Sequence, residues 1–80
     1  MVEVVYEKRF QKKYDKIKDQ GFKEQVKKQI QKIINNPDIG KPMMYDRRGT
    51  REVYVSHFRL SYAFADETIY LLDLYHKDEQ

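Results

Sequence analysis

The stretch FRLSYAFADETIYLLDLYHK, residues 58–77, decides the fold because it holds two strand patterns joined by a turn. In its first half, large apolar residues alternate with Arg59, Ser61 and Ala63, which is the period of a strand with one buried face. The second half is apolar at consecutive positions, as is typical of a central strand. Asp66 and Glu67 between the two halves predict a tight hairpin turn.

Outward from this hairpin, the preceding sequence predicts a strand, two helices and one more strand. Residues 2–6, VEVVY, are β-branched and short, which favours a strand. Apolar residues at helical spacing predict helices over 7–18 and 22–34, and the second ends before the proline of NNP. A loop over 37–50 contains both prolines, and an alternating pattern predicts a strand over 51–56. The predicted fold is α+β, with an N-terminal strand, a helical hairpin and a three-stranded antiparallel meander, both helices lying on one face of the sheet.

The size and composition of the chain limit the classes of protein that it can belong to. Its 80 residues predict a single domain over 1–80. The absence of cysteine excludes disulfides and thiolate metal sites. No stretch has the roughly 18–20 apolar residues of a membrane span, and the N-terminus lacks the pattern of a secretory signal. The sequence therefore predicts a cytoplasmic protein with no membrane partner.

Positive charge is concentrated in the first half of the chain. Residues 1–40 contain ten lysines and arginines against six acids, whereas residues 41–80 contain six against seven. Solvated helix faces explain this surplus in the simplest way. The net charge of +3 indicates an anionic partner only weakly.

The strand alternation divides the sheet residues between two faces. We predict that the face towards the helices receives Val53, Val55, Leu60, Tyr62, Phe64, Tyr70, Leu72 and Leu74. The opposite face then receives Glu52, Tyr54, Arg59, Ser61, Asp73, Tyr75 and Lys77. This second set contains cations, tyrosines and carboxylates together. A sheet face that is only exposed to solvent needs polar residues but not this combination.

These residue types suit a nucleic-acid ligand. The arginine fork matches a phosphate, and tyrosine rings stack on bases. The candidate RNA-binding residues are Arg47, Arg48, Arg51, Tyr54 and Tyr75. Cleavage of RNA at the 2′-hydroxyl needs proton transfer and charge neutralisation but no metal or other cofactor. Two plainer explanations stay open, because Arg59 could pair with Glu52 or Asp73 and His76 could be an ordinary surface histidine.

Four segments together resemble the RelE/ParE superfamily of toxins from prokaryotic type II toxin–antitoxin systems. They are NPDIGKPM at 36–43, GTREVYV at 49–55, FRLSYAF at 58–64 and LLDLYHKD at 71–78. The resemblance extends over nearly the whole chain, and the order and spacing of the segments are specific to the superfamily. It implies a RelE-like toxin fold.

The resemblance also implies roles for individual residues. Arg59 matches the strand arginine that binds the scissile phosphate in the RNA-cleaving branch, and YHK at 75–77 is similar to the C-terminal YHY of YoeB-type toxins. His76 and Lys77 then occupy catalytic positions, and RelE-type toxins have a catalytic arginine at the position of Lys77. Two departures leave the general base unassigned. Glu52 and Tyr54 replace two lysines of RelE-type toxins, and Met43 replaces the YoeB-type glutamate, so Glu52 is a candidate base by its chemistry only.

The resemblance implies a metal-independent, ribosome-dependent endonuclease that cleaves mRNA in the ribosomal A site and is neutralised by a cognate antitoxin. A gyrase inhibitor of the ParE kind and a non-catalytic, small basic binding domain remain as alternatives. The endonuclease hypothesis makes one geometric demand. Arg59 and His76 must face a single pocket that no helix covers.

Overall fold

The computed structural model describes residues 2–43 and 49–79, which form a mixed sheet and two helices. The strands are β1 (Glu3–Tyr6), β2 (Lys41–Pro42), β3 (Thr50–Val55), β4 (Phe58–Ala65) and β5 (Thr68–His76). The helices are α1 (Lys8–Asp15) and α2 (Gln20–Asn35), and a 3₁₀ turn (Lys77–Glu79) follows β5. Within these ranges, neither helix has the length and apolar character needed to cross a membrane.

The sheet has the strand order β1-β5-β4-β3-β2. Strands β3, β4 and β5 form the predicted antiparallel meander. Strand β1 pairs with β5 in parallel, so that β5 is central. The segment predicted as a loop over 37–50 includes the two-residue strand β2, which pairs with Arg51 and Glu52. Residues 44–48, with the candidate residues Arg47 and Arg48, lie outside the described residues.

Both hairpin turns of the meander are two residues long. Asp66 and Glu67 between β4 and β5 have positive φ angles of 51° and 60°, as a type I′ turn requires. The predicted turn is therefore confirmed. Ser56 begins the turn between β3 and β4 with a φ of 57°.

The core lies between the helices and one face of the sheet. Its buried members are Phe10, Val26, Ile30, Ile33, Val53, Val55, Leu60, Tyr62, Ile69, Leu71 and Leu74. Asp19 is the N-cap residue that precedes helix α2. Its carboxylate accepts a 3.2 Å hydrogen bond from the backbone N–H of Phe22 and so caps the first turn. The predicted α+β architecture, with both helices packed against one face, is confirmed.

A β-bulge changes the predicted core side of β5. Ser61 is opposite Asp73 but Tyr62 is opposite Leu71, so that Leu72 is an extra residue in β5. The extra residue reverses the side-chain alternation that precedes it. The prediction that Tyr70 and Leu72 fill the core is therefore wrong, because Ile69 and Leu71 are the fully buried residues. Phe64, also predicted in the core, is 39% exposed two residues before the turn.

Candidate functional site

A row of three side chains crosses the sheet face opposite the helices. Arg59 on β4 is paired with Tyr54 on β3 and with Tyr75 on β5. The Arg59 guanidinium carbon lies 3.8 Å from the centre of the Tyr54 ring, within the range of a cation–π interaction. Its Nη1 also donates a 3.2 Å hydrogen bond to the backbone carbonyl of Phe58. Tyr54 is half exposed, so the stacked guanidinium is held at the protein surface.

A buried hydrogen bond lies beside this row. The Tyr75 hydroxyl donates to the Glu52 carboxylate at 2.9 Å, and the two residues are only 6% and 7% exposed. Because a buried polar group is costly without a partner, this bond satisfies one oxygen of the Glu52 carboxyl group. Four predicted site residues, Glu52, Tyr54, Arg59 and Tyr75, thus lie on one face.

Arg59 forms no ion pair among the residues that the structure describes. Glu52 accepts its hydrogen bond from Tyr75. Asp73 lies 2.8 Å from Lys13 and 3.9 Å from Arg9, both on α1. Asp73 is paired with Ser61 across the strands, and its carboxylate is held by Lys13 of α1. The explanation that Arg59 is neutralised by Glu52 or Asp73 is therefore excluded.

His76 lies on the other side of the sheet from Arg59. Its ring centre is 5.3 Å from that of Phe58 in an edge-on arrangement, and Phe58 contacts Phe22 of α2 at 4.8 Å. Phe58 and His76 are a cross-strand pair, and the next pair is Arg59 and Tyr75. Since consecutive pairs point to opposite faces, Arg59 and His76 do not converge. The expectation of one shared pocket is wrong, so Arg59 and His76 cannot act together in one pocket, and any chemistry on the open face has to be built without the histidine.

His76 is the last residue of β5, and Lys77 is the first residue of the 3₁₀ turn that follows it. The backbone N–H of Asp78 donates to His76 Nδ1 at 3.2 Å, and the Asp78 carboxylate lies 3.5 Å from the same atom. Both contacts hold the imidazole ring against the 3₁₀ turn that follows β5. The backbone N–H of Lys77 donates to the His57 carbonyl at 2.9 Å, and the Lys77 side chain is exposed.

Arg51 has a different environment from the other candidate RNA-binding residues. Its Nη1 donates to the carbonyls of Gly40 and Asp38 at 2.8 and 3.1 Å, and its Nη2 lies 3.6 Å from the Asp38 carboxylate. These contacts fix the segment before β2.

Tyr62 fixes the same segment from within the core. Its hydroxyl donates to the Pro37 carbonyl at 2.7 Å and accepts from the N–H of Gly40 at 2.9 Å. Burial raises the pKa of Tyr62, although its bond with Gly40 acts in the opposite direction. The sequence does not indicate this role, since the alternation of β4 marks Tyr62 only as a core residue. The glycine of the GKP sequence is the one local sign of this close packing, because a Cβ at Gly40 would lie 2.6 Å from the Tyr62 hydroxyl.

The described residues were also compared with the ligand sets of metal sites. Residues 2–43 and 49–79 contain no cluster of three histidine or acidic residues placed to hold a metal ion. The groups available for chemistry on the open face are therefore a guanidinium, two phenols and a carboxylate.

Comparison with known proteins identifies a family. A family model described as the ParE toxin of the type II toxin–antitoxin system parDE matches residues 4–80. No curated protein sequence matches this chain.

Solved structures share the fold at low sequence identity. A chain of the Escherichia coli RelBE toxin–antitoxin complex has a TM-score of 0.80 and 19% identity, over 95% of this chain and 96% of that chain. A chain of the Staphylococcus aureus YoeB–YefM complex has a TM-score of 0.80 and 18% identity, over 95% and 97%. Escherichia coli YafQ has a TM-score of 0.74 and 20% identity, over 99% and 97%.

Proposed function

Because this chain belongs to the ParE toxin family of type II toxin–antitoxin systems, we propose that it is a toxin that inhibits translation by cleaving mRNA. One observation supports this proposal above the others. The Arg59 guanidinium has no carboxylate partner among the described residues and is held on Tyr54, on the sheet face away from the helices. An arginine that is oriented but not neutralised is suited to binding a phosphate.

The proposed reaction is an internal transfer of the RNA phosphoryl group. The ribose 2′-oxygen loses its proton and attacks the adjacent phosphorus, the bond from phosphorus to the 5′-oxygen breaks, and that oxygen takes up a proton. The products are a 2′,3′-cyclic phosphate and a 5′-hydroxyl. Arg59 would neutralise the charge that develops on the phosphate oxygens. The exposed ring of Tyr54 would stack on a neighbouring base. Tyr75 is buried, so it could stack on a base only after its hydroxyl leaves Glu52.

Proton transfer is assigned to the residues around Arg59. Glu52 is the candidate acceptor of the 2′-hydroxyl proton, and its bond to Tyr75 holds its carboxyl group beside the strand that carries Arg59. Lys77 follows β5 with an exposed side chain, so its ammonium group could protonate the leaving oxygen. His76 lies on the other face, and a catalytic role for it requires that the RNA pass around the end of the sheet.

The proposal includes a protein partner and the ribosome. The RelBE and YoeB–YefM structures are toxin–antitoxin complexes, and by analogy a cognate antitoxin would bind this chain. The substrate would be mRNA in the ribosomal A site, where Arg47 and Arg48 would contribute further phosphate contacts, whereas Arg51 would have to leave Asp38 and Gly40 to do so. A short gene beside this one that encodes an acidic protein would support the pairing.

The proposal is tested by adding the purified protein to a translating extract and mapping the 5′ ends of a reporter mRNA by primer extension. We expect new ends within the translated region, and we expect them to disappear when initiation is blocked. Intact transcripts in an extract whose protein synthesis has nevertheless stopped would contradict RNA cleavage.

A second candidate function is inhibition of DNA gyrase without RNA cleavage. The match to the ParE toxin model favours it, and so does the separation of His76 from Arg59 on opposite faces. Induction would then cause a DNA-damage response while transcripts remain intact. A supercoiling assay with purified gyrase separates this candidate from the first.

A further inference from the structure

The GKP sequence supplies one more charged side chain to the open face of the sheet. Lys41 is directly opposite Glu52 in the pairing of β2 with β3. Opposed residues of an antiparallel pair point to the same face, and Glu52 shares its face with Tyr54 and Arg59. Lys41 therefore lies on the open face, where its side chain is exposed.

The backbone before Lys41 is fixed to the rest of the sheet. The N–H of Gly40 donates to the Tyr62 hydroxyl at 2.9 Å, and the Gly40 carbonyl accepts from Arg51 Nη1 at 2.8 Å. Gly40 and Tyr62 are both buried. Lys41 thus extends from a fixed point, and less backbone freedom is lost when its ammonium group binds a ligand.

Pro42 makes this short strand the end of the described sheet. The N–H of Met43 donates to the Thr50 carbonyl at 2.9 Å. Hydrogen-bonded and non-hydrogen-bonded pairs alternate, so Pro42 and Arg51 form a pair in which an N–H would point away from β3. The missing N–H of proline costs the ladder nothing there and hinders the addition of another strand. The position of Lys41 therefore remains at an open edge.

Lys41 has no anionic partner in the described part of the chain. None of the ion pairs found there includes its ammonium group. Glu52, directly opposite, accepts the hydrogen bond from Tyr75 on the other side. The charge of Lys41 is therefore available to a ligand.

Lys41 and Arg59 flank Glu52 on the open face. The side chains of β3 on this face are Thr50, Glu52 and Tyr54, so β3 itself adds no cation. Lys41 is one strand from Glu52 on one side, and Arg59 is one strand away on the other. Ordinary strand spacing and rise put the Cα atoms of Lys41 and Arg59 roughly 12 Å apart. Two long cationic side chains thus stand on either side of the candidate proton acceptor.

We propose that Lys41 binds the RNA phosphate on the 5′ side of the attacking ribose. The inference rests on the proposed function, which gives the scissile phosphate on the 3′ side of that ribose to Arg59. A ribose lies between its own two phosphates, so contacts to both would place its 2′-hydroxyl over Glu52. Lysine contacts to phosphate orient a strand without reading its bases. The GKP strand would therefore position the substrate for cleavage at any sequence.

The first test measures binding of the full chain to a fluorescein-labelled uridine hexamer by anisotropy at several KCl concentrations. Its 2′-O-methyl groups prevent cleavage. Lys41→Gln should weaken binding about threefold to tenfold at the lowest salt, and the slope of log Kd against log salt should fall by about 0.7, the value for one phosphate contact on a single strand. Lys41→Arg should keep the parent's slope. The matched control Lys28→Gln, at an exposed position on α2, should leave the slope unchanged and weaken binding less than twofold.

The second test locates the phosphate. A synthetic mRNA in the ribosomal A site carries one neutral methylphosphonate linkage on the 5′ side of the attacking ribose. The parent should lose as much activity on this mRNA as Lys41→Gln loses on the ordinary one, and the variant should lose no more. A methylphosphonate on the 3′ side of the scissile phosphate should lower cleavage by the parent and by the variant by the same factor.

Three results would overturn the inference. They are a salt slope for Lys41→Gln equal to that of the parent, equal weakening by Lys28→Gln, and an equal loss for parent and variant from the 5′ methylphosphonate. The anisotropy measurement does not depend on cleavage. Intact transcripts in the translating extract would therefore overturn the proposed function, whereas an unchanged salt slope would overturn only the role of Lys41.

Discussion

The Tyr75 hydroxyl reaches the Glu52 carboxylate across β4, the strand that carries Arg59. Both partners are buried, so the bond joins the outer strands of the meander beneath the stacked guanidinium. The same carboxylate is thereby kept from forming an ion pair with Arg59. This arrangement leaves the Arg59 guanidinium without a carboxylate contact among the residues that the structure describes.

Replacement of Arg59 by alanine should abolish toxicity without unfolding the protein. Loss of one charge-stabilising donor typically lowers a rate by about 100- to 1,000-fold, and the primer-extension assay should record a loss of that size. Arg9→Ala is the matched control, since Arg9 is exposed and lies 3.9 Å from Asp73 on the helix side. Equal arrest of translation by Arg59→Ala and the parent would remove Arg59 from the mechanism.

Replacement of Tyr54 tests the stacking that orients Arg59. Tyr54→Leu should lower RNA cleavage because the guanidinium loses the ring at 3.8 Å, whereas Tyr54→Phe keeps that ring and should retain most of the activity. Both variants should unfold at nearly the same urea concentration as the parent, because Tyr54 is half exposed. A parent-like rate for Tyr54→Leu would show that stacking is dispensable.

Replacement of Tyr75 by phenylalanine should destabilise the protein. The change leaves the buried Glu52 carboxylate without the hydroxyl donor at 2.9 Å, and an unsatisfied buried acceptor costs about 1–3 kcal/mol. The double variant Tyr75→Phe/Glu52→Gln should recover part of the free energy of unfolding, because the buried charge is gone. Strictly additive losses in a urea-denaturation cycle would contradict this coupling.

Replacement of Gly40 by alanine should also destabilise the fold. The new Cβ would lie 2.6 Å from the Tyr62 hydroxyl and 3.0 Å from Arg51 Cβ, and overpacking of this kind costs about 1–3 kcal/mol. Gly21→Ala is the control, since its nearest neighbour is the flexible Asp19 side chain at 3.2 Å. Thermal unfolding should show the larger decrease in Tm for Gly40→Ala.

The raised pKa of Tyr62 predicts a loss of stability at alkaline pH. Burial makes the folded state hold the phenolic proton more tightly than the unfolded state, whose value is near 10.0. The contribution is therefore fully present below about pH 10 and is lost as the pH rises through the folded pKa. Tyr62→Phe is less stable at neutral pH because it lacks two hydrogen bonds. Its free energy of unfolding should nevertheless fall less steeply above pH 10 than that of the parent.

The sequence predicted both helices and four of the five described strands, because each of these has a local signal, whereas the two-residue strand β2 lies in the segment predicted as a loop. The helical spacing of Phe10 and Val26 and the alternation of β3 and β4 depend on neighbouring residues only. The bulge at Leu72 has no such signal, since Ile69 to Leu72 are apolar on both faces and fit either register. The core side of β5 was misassigned for that reason.

The candidate site was predicted in part. The alternation of β3 and β4 placed Glu52, Tyr54 and Arg59 on one face, as observed. His76 stands at the strand end beside a turn, and only the pairing of β4 with β5 determines its side. The sequence could not show that Arg59 lacks an ion pair with Glu52 or Asp73. That result depends on two contacts seen only in the structure, from Tyr75 to Glu52 and from Lys13 to Asp73.

The central place of β5 affects how the chain reaches its native state during synthesis. This strand pairs with β1 on one side and β4 on the other, yet the ribosome makes it after all the other strands and both helices. Pairing of β1 with β5 also closes a loop from Glu3 to Thr68, a contact of high sequence separation that slows folding. A nascent chain therefore cannot complete its sheet until translation of β5 is over. Only then can Tyr54, Arg59 and Tyr75 come together across the three strands of the meander.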